Sequence, residues 1–321
     1  MTGICQPGAN RDTAYSQGKD IDMSDNSIAF EHAVMTLPHQ QWNATGHDIV
    51  AAVEALEQGK VLYFPHLSFP LTADERNLLD PALVDAKRKN ISFQPFGKKL
   101  TGVALADRRP VVQHLMERHY QKCCHLLAEV LPFYQPTLHN PANSLRLHPI
   151  TAWRANASWR KDDSRLHVDA FPSRPTGGER ILRIFTNINP YGLNRSWRVG
   201  ESFPLVAQHF LPRLGRYSPL FSWLQYKAGI TKARRSHYDH LMLALHDAMK
   251  GDQDYQRHGA QLALEFPPGS TWICFSDQTP HAAMGGQFML EQTFMLPVDA
   301  MKNPRQSPLK VWETLLKKPL I

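Results

Sequence analysis

A chain of 321 residues with 42% hydrophobic and 20% charged residues is long enough to bury a large core, and its composition excludes disordered, collagen-like and low-complexity classes. The 36 Lys and Arg against 29 Asp and Glu leave a formal charge of +7, which favours an anionic partner: nucleic acid, an acidic lipid surface, or a phosphorylated or carboxylated substrate. The apolar runs are too short for a membrane-spanning helix. The first 26 residues hold no signal-peptide core, and Cys5, Cys123, Cys124 and Cys274 give no disulfide framework, so a cytoplasmic protein is expected.

Residues 1–26 are polar and aperiodic and are expected to form a disordered arm, or an over-long start upstream of Met23. From Asp48, DIVAAVEALEQGK spaces Ile49, Val53 and Leu56 as one helical face, and VLYFPHLSF follows as a strand. Thr72 and Glu75 have the spacing of a capping box. The strongest predicted helix runs from Pro110 to Leu131, with Val112, Leu115, His119, Leu126, Leu127 and Val130 along one side. From Ser144 to about Asn189 the texture turns to short β-rich runs: SLRLHPITAWRANASW, RLHVDAF and RILRIFTNINP. A helical insertion is expected at about 204–250, followed by two strands in ALEFPPGSTWICFS and GGQFMLEQTFMLPV. The tail 301–321 reads as a helix packing on the β core, with a basic amphipathic membrane foot around Trp312 and Lys317 as the sharper alternative.

Strands on both sides of a helical insertion, without regular βαβ alternation, predict a mainly β fold with flanking helices: an antiparallel barrel or jelly roll. One domain over 27–321 is expected, its β core at about 144–300. No P-loop or G-x-G-x-x-G run is present, which disfavours those kinds of nucleotide-phosphate chemistry.

The chemistry concentrates at Arg165-Leu166-His167-Val168-Asp169. In a strand His167 and Asp169 project together while Val168 faces away, and His281 in Pro280-His281-Ala282 is the expected distal partner. Two neutral imidazoles and one carboxylate on one face of an octahedral metal leave three positions open, the facial triad of non-haem Fe(II) oxygenases. A structural zinc site would want four closed ligands, commonly sulfur-rich. His237 and His240 share a helical face without a carboxylate-rich partner and read as structural. Gly177-Gly178 and Gly285-Gly286 read as turns.

The stretches HVDAFPSRPTGGERILRIFTNINP and FPPGSTWICFSDQTPHAAMGGQFMLEQTFML, with a weaker echo in NISFQPFGKKLTG, resemble the Fe(II)/2-oxoglutarate-dependent dioxygenases, and more narrowly the Kdo 3-hydroxylases of Gram-negative bacteria. The resemblance implies a cupin-like double-stranded β-helix holding Fe(II) through His167, Asp169 and His281. It also implies 2-oxoglutarate and dioxygen as cosubstrates, and hydroxylation of the Kdo sugar of Kdo-lipid A at C3 to form Ko. The expected partner is then this anionic glycolipid, with peripheral contact at the cytoplasmic face of the inner membrane and no nucleic acid.

Many superfamily members bind the distal carboxylate of 2-oxoglutarate with an Arg or Lys some ten residues after the second His, yet residues 282–296 contain neither. Arg183 is the leading replacement, Arg180 the reserve, and Thr293 a hydroxyl that could add a hydrogen bond. For the acidic substrate, Arg174, Arg154, Arg165 and Asn156 are the expected contacts, in a segment that also holds Arg160, Trp153 and Trp159. Rival readings are a 2-oxoglutarate oxygenase acting on a protein side chain or another small acidic substrate, and a non-catalytic cupin-like binding module.

Overall fold

The computed structural model describes residues 33–43, 48–153 and 158–321; the arm expected over 1–26 lies outside them. Strand β1 (Val34–Thr36) leads to helix α1 (Ile49–Glu57), β2 (Val61–Phe64) and the one-turn α2 (Ala73–Arg76). Asp48 caps α1 by accepting from the Ala51 amide, and Thr72 and Glu75 form the reciprocal capping box that their spacing predicts. The hairpin β3 (Ile91–Gln94) and β4 (Lys99–Thr101) precedes α3 (Arg109–Val130), on which every residue of the predicted apolar face is buried. Then come β5 (His139–Arg146), β6 (Arg180–Asn187) and β7 (Arg195–Gly200). The insertion carries α4 (Phe203–Phe210), α5 (Pro219–Lys227), α6 (His237–Gly251) and α7 (Gln253–His258). After it follow β8 (Gln261–Phe266), β9 (Thr271–Phe275), β10 (His281–Ala283), β11 (Met289–Leu296) and α8 (Pro308–Leu316).

The strands form two sheets, one ordered β1-β2-β9-β6-β11-β5-β3-β4 and the other β10-β7-β8, antiparallel throughout except for the β1–β2 pair. Their inner faces meet in an aromatic cluster. Trp272 stacks on Phe266 at 4.0 Å and on Phe185 at 5.4 Å, and Trp197 of the small sheet meets Phe185 edge-on at 5.0 Å. Burying each such ring contributes about 1.5–3 kcal/mol, so the interior of this jelly roll is a rigid floor. The outer face of the large sheet packs Leu182, Ile184, Ile273 and Leu290 against α1 and α3. A further core joins Leu166 and Val168 to α4, α6 and α8.

Several expectations change. Residues 150–153 and 159–161 form short 3-10 turns rather than strand, and RLHVDAF is irregular apart from one antiparallel bridge between His167 and His281. ALEFPPGSTWICFS is two strands, because Pro267-Pro268 interrupts the ladder and Gly269 turns at φ +81°. Strand β7 carries charges among its apolar residues and was not foreseen. The tail forms α8, but Leu309, Trp312 and Leu320 are buried in the core beneath the insertion, which leaves no apolar stripe there for a membrane foot.

A buried polar chain ties α3 to the sheet. The Asn143 amide donates to His119 Nδ1 at 3.0 Å and to Gln292 Oε1, which leaves His119 Nε2–H to donate to Thr186, itself bonded to Thr271 and through it to the Leu67 carbonyl. Burial, and then the nearby Arg118 charge, lowers the His119 pKa to about 3. The unfolded chain therefore takes up this proton more readily, and stability present above pH 6.5 is lost as pH falls toward 3, by about 1.4 kcal/mol per pH unit. Urea titrations between pH 7 and 5 should show this slope in the wild type and a slope shallower by one proton in His119→Gln.

Candidate active site

His167 and His281 face each other because their backbones exchange hydrogen bonds at 3.0 and 2.8 Å, a register independent of the side chains. The Asp169 amide then donates to the Ser276 carbonyl, which turns this carboxylate toward the same point. One ligand atom from each of His167, Asp169 and His281 lies within 4.8 Å of the others, and His167 Nε2 is 3.7 Å from Asp169 Oδ1. Both imidazoles donate from Nδ1 to backbone carbonyls, His167 to Arg165 and His281 to Thr279. That fixes the tautomer and leaves both Nε2 lone pairs for a metal.

The electrostatics agree with ligation. Burial first, then the neighbouring imidazole and Lys250, push the His167 pKa well down, and burial lowers that of His281, so both rings are neutral. Burial works to raise the Asp169 pKa, but Arg183, His281 and His167 outweigh it and hold the carboxyl well below the usual carboxylate range. Asp169 Oδ2 is buried without a hydrogen-bond partner, although the Arg183 guanidinium lies 3.2 Å away as an ion pair. Two neutral nitrogens, one carboxylate and a buried orphan oxygen fit a divalent iron with open positions.

Beside this triad the jelly roll concentrates cations. Arg183 on β6 sits opposite Thr293 of β11 in register, and its guanidinium also lies 3.4 Å from Glu291, whose second oxygen receives Arg146 at 2.7 Å. Arg195 and Trp197 point inward from β7, and Trp197 stacks on His281 at 5.1 Å. Burial, and then Arg146, lowers the Arg195 pKa, the mark of an enclosed cation short of counter-charge. Arg183 Nε, Arg195 Nε and Trp197 Nε1 are all buried donors without acceptors. Such a set fits an anionic acceptor. A cleft of about 800 Å³ opens outward from Arg183 and Thr293, and Arg174 and Phe96 also line it.

The candidates from sequence separate on this frame. Arg183 and Thr293 share one cleft wall. Arg180, the reserve, is not available to a cosubstrate: it is fully buried and donates to Asp277, Gln278 and Met301 while its guanidinium covers Phe275 at 3.9 Å. Arg180→Leu should strand the Asp277 carboxylate and cost about 3–5 kcal/mol of stability in denaturant melts, with the 2-oxoglutarate KM of the folded protein unchanged. Arg174 is exposed on the cleft rim. Arg165 instead binds the Lys250 carbonyl at 2.7 Å and pairs with Asp162, a strut between the metal-binding segment and α6. Arg154 and Asn156 lie outside the described residues.

Sequence reading missed Arg146, Arg195, Trp197 and His246. His246 comes from α6 of the insertion and packs edge-on against His167 at 5.3 Å while bonding Asp247 at 3.0 Å. Only the alternation in R-S-W-R-V-G hinted at two of these. His237 stacks on Tyr217, and His240 bonds the Gly215 carbonyl, which accords with their structural reading.

No curated protein matches the chain. The sequence profile described as 3-deoxy-D-manno-oct-2-ulosonic acid (Kdo) hydroxylase matches residues 39–319. The fold is similar to crystal structures of the Kdo hydroxylase KdoO, a non-haem Fe(II) α-ketoglutarate-dependent dioxygenase. Against its complex with α-ketoglutarate and Fe(III), the identity is 47% over 90% of this chain and 97% of that one, with a TM-score of 0.86. The cobalt(II) complex gives 47% identity, the same coverage and 0.87; the complex with succinate and Fe(III) gives 46%, again the same coverage, and 0.85. With the profile matching most of its length and a His-Asp-His site joined to an arginine-lined cleft through the Arg183–Asp169 pair, the chain belongs to the Kdo hydroxylase family.

Proposed function

We propose that this protein hydroxylates the Kdo sugar of Kdo-lipid A at C3, forming Ko, with Fe(II) held by His167, Asp169 and His281. The chain is an Fe(II)/2-oxoglutarate-dependent dioxygenase by family. The observation that carries the reading is the three-ligand site with unused Nε2 lone pairs beside a buried surplus of guanidinium groups. When bound, iron and 2-oxoglutarate supply the oxidising chemistry that puts one atom of dioxygen into a C–H bond and the other into succinate, with release of carbon dioxide.

The protein's own residues prepare that chemistry. The Arg165 and Thr279 carbonyls hold both imidazoles in the metal-binding tautomer, and Arg183 keeps Asp169 ionised. Arg183, Arg195, Trp197 and Thr293 supply donors for the carboxylates of 2-oxoglutarate, and the aromatic floor excludes water. Arg174 at the rim is positioned to meet an anionic group of the substrate.

The membrane part of this reading is peripheral contact at the cytoplasmic face, where an anionic glycolipid substrate would meet the basic protein; among the described residues no helix is long and apolar enough to cross a bilayer. Incubation with Fe(II), 2-oxoglutarate, dioxygen and Kdo-lipid A, read by mass spectrometry, tests the proposal. One added oxygen on the Kdo residue with matching succinate is expected. Succinate without a modified Kdo would defeat the substrate assignment, and neither product would leave a binding module.

A further inference from the structure

Helix α5 is turned inside out. In a surface helix the apolar residues ordinarily face the core, yet here the single buried residue is Ser222, whose hydroxyl donates to the Arg235 carbonyl at 2.6 Å. Leu220, Phe221, Trp223, Leu224 and Tyr226, with Ile230 just beyond the helix, are 43–67% exposed. These side chains form a concentrated apolar surface of the kind that marks an interaction site.

Along the sequence around them the charge has one sign, and Asp247, which lines the same depression as Phe221, is paired with Arg160 and His246. Between Glu201 and Asp239 the sequence holds six Lys and Arg and no Asp or Glu. Arg216, Lys227, Lys232 and Arg234 are exposed, and the Lys227 ammonium sits over the Trp223 ring, 5.9 Å from its centroid. Aromatic and aliphatic side chains flanked along the chain by lysine and arginine complement an anionic lipid headgroup layer into which the rings can sink. The charges would instead repel a second copy of the same basic face.

The placement gives this surface a purpose. The Lys232 amide donates to the Ser173 carbonyl at 2.9 Å, and Arg235 donates to the Pro172 carbonyl at 2.7 Å. Pro172 and Ser173 belong to the loop that follows Asp169 and lines the cleft through Phe171, Arg174 and Pro175. The exposed helix is thus fastened to the rim of the cleft. The exposed Phe96 lines the same cleft, with Lys98 and Lys99 beside it on the β3–β4 hairpin.

We infer that α5 and the 228–234 turn dock this protein on an anionic lipid surface and present its cleft to headgroups there. The inference rests on the proposed function only for a lipid-borne substrate; the docking surface stands on exposure and charge. The test is sedimentation of the full-length protein with phosphatidylcholine vesicles containing phosphatidylglycerol but no Kdo, so that its outcome is independent of turnover. The wild type should bind at low salt and lose at least about tenfold in affinity in 0.5 M NaCl. Phe221→Ser/Trp223→Ser/Leu224→Ser should lower binding by at least about a hundredfold with an unchanged melting curve. A Lys227→Glu/Lys232→Glu/Arg234→Glu variant should also lose binding. In a second assay the serine variant should turn over deacylated, water-soluble Kdo saccharide like the wild type but lose activity on vesicle-embedded substrate. Absence of wild-type binding at low salt, or serine-variant binding equal to wild type, would overturn the inference. So would a lipid-free dimer that the serine variant converts to monomer, because the face would then be covered by a second copy.

Discussion

Asp169→Ala is expected to abolish stoichiometric Fe(II) binding and to lower succinate formation at least about a thousandfold, roughly 4 kcal/mol of transition-state stabilisation. Asp169 is the only anion among the three ligands, and Arg183 keeps it ionised inside a buried site. Its loss leaves two neutral nitrogens and a nearby guanidinium that keeps only Glu291, already shared with Arg146, as counter-charge, a poor host for a cation. The local fold should survive, because the His167–His281 bridge and the Asp169 amide bond to Ser276 are backbone interactions. Metal analysis after dialysis, paired with thermal melts with and without Fe(II), separates this loss from unfolding. Iron at a hundred times its dissociation constant should stabilise the wild type by about 2.7 kcal/mol and the variant not at all. Full iron occupancy in the variant would remove the triad as the metal site.

Arg183→Leu and Arg195→Leu should part company even though both weaken 2-oxoglutarate binding. Arg183 is paired, at 3.2 Å from Asp169 and 3.4 Å from Glu291, so its removal strands the buried Asp169 carboxylate, leaves Glu291 to Arg146 alone, and should cost about 3–5 kcal/mol of stability. Arg195 is a buried cation whose environment opposes its charge, so Arg195→Leu should leave the ligand-free protein as stable as the wild type or more so. Each loss of a charge-assisted contact to a cosubstrate carboxylate should raise the 2-oxoglutarate KM by about ten- to a hundredfold. Chemical denaturation and KM measured side by side give the two patterns. Equal destabilisation by both substitutions would show that Arg195 is as fully paired as Arg183.

The chemistry was more legible than its setting. His-x-Asp followed far downstream by Pro-His named the ligand types, and the alternation along RILRIF put Arg183 on the face opposite Leu182 and Ile184, as the core packing has it. The reason offered for His167 and Asp169 converging, a continuous strand, does not hold. One bridge and one backbone bond to a remote loop aim the two side chains instead. The same alternation sets Arg180 on the face of Leu182 and Ile184, away from Arg183, and the contacts of Asp277 and Gln278 reveal it as a buried strut.

What the sequence by itself determined was the local: the caps at Asp48 and Thr72, the buried face of α3, the mainly β class, and the residue types able to hold iron. Caps and periodic faces depend on neighbours within a turn or two, so they can be read from short windows. Tertiary structure alone decided that β7 brings Trp197 onto His281, with Arg195 on the same buried face, and that α6 lays His246 against His167. It also decided that the tail buries Leu309, Trp312 and Leu320 while α5 exposes its apolar side chains. Those outcomes depend on which surfaces meet across the sheets, and periodicity names a face without naming what covers it.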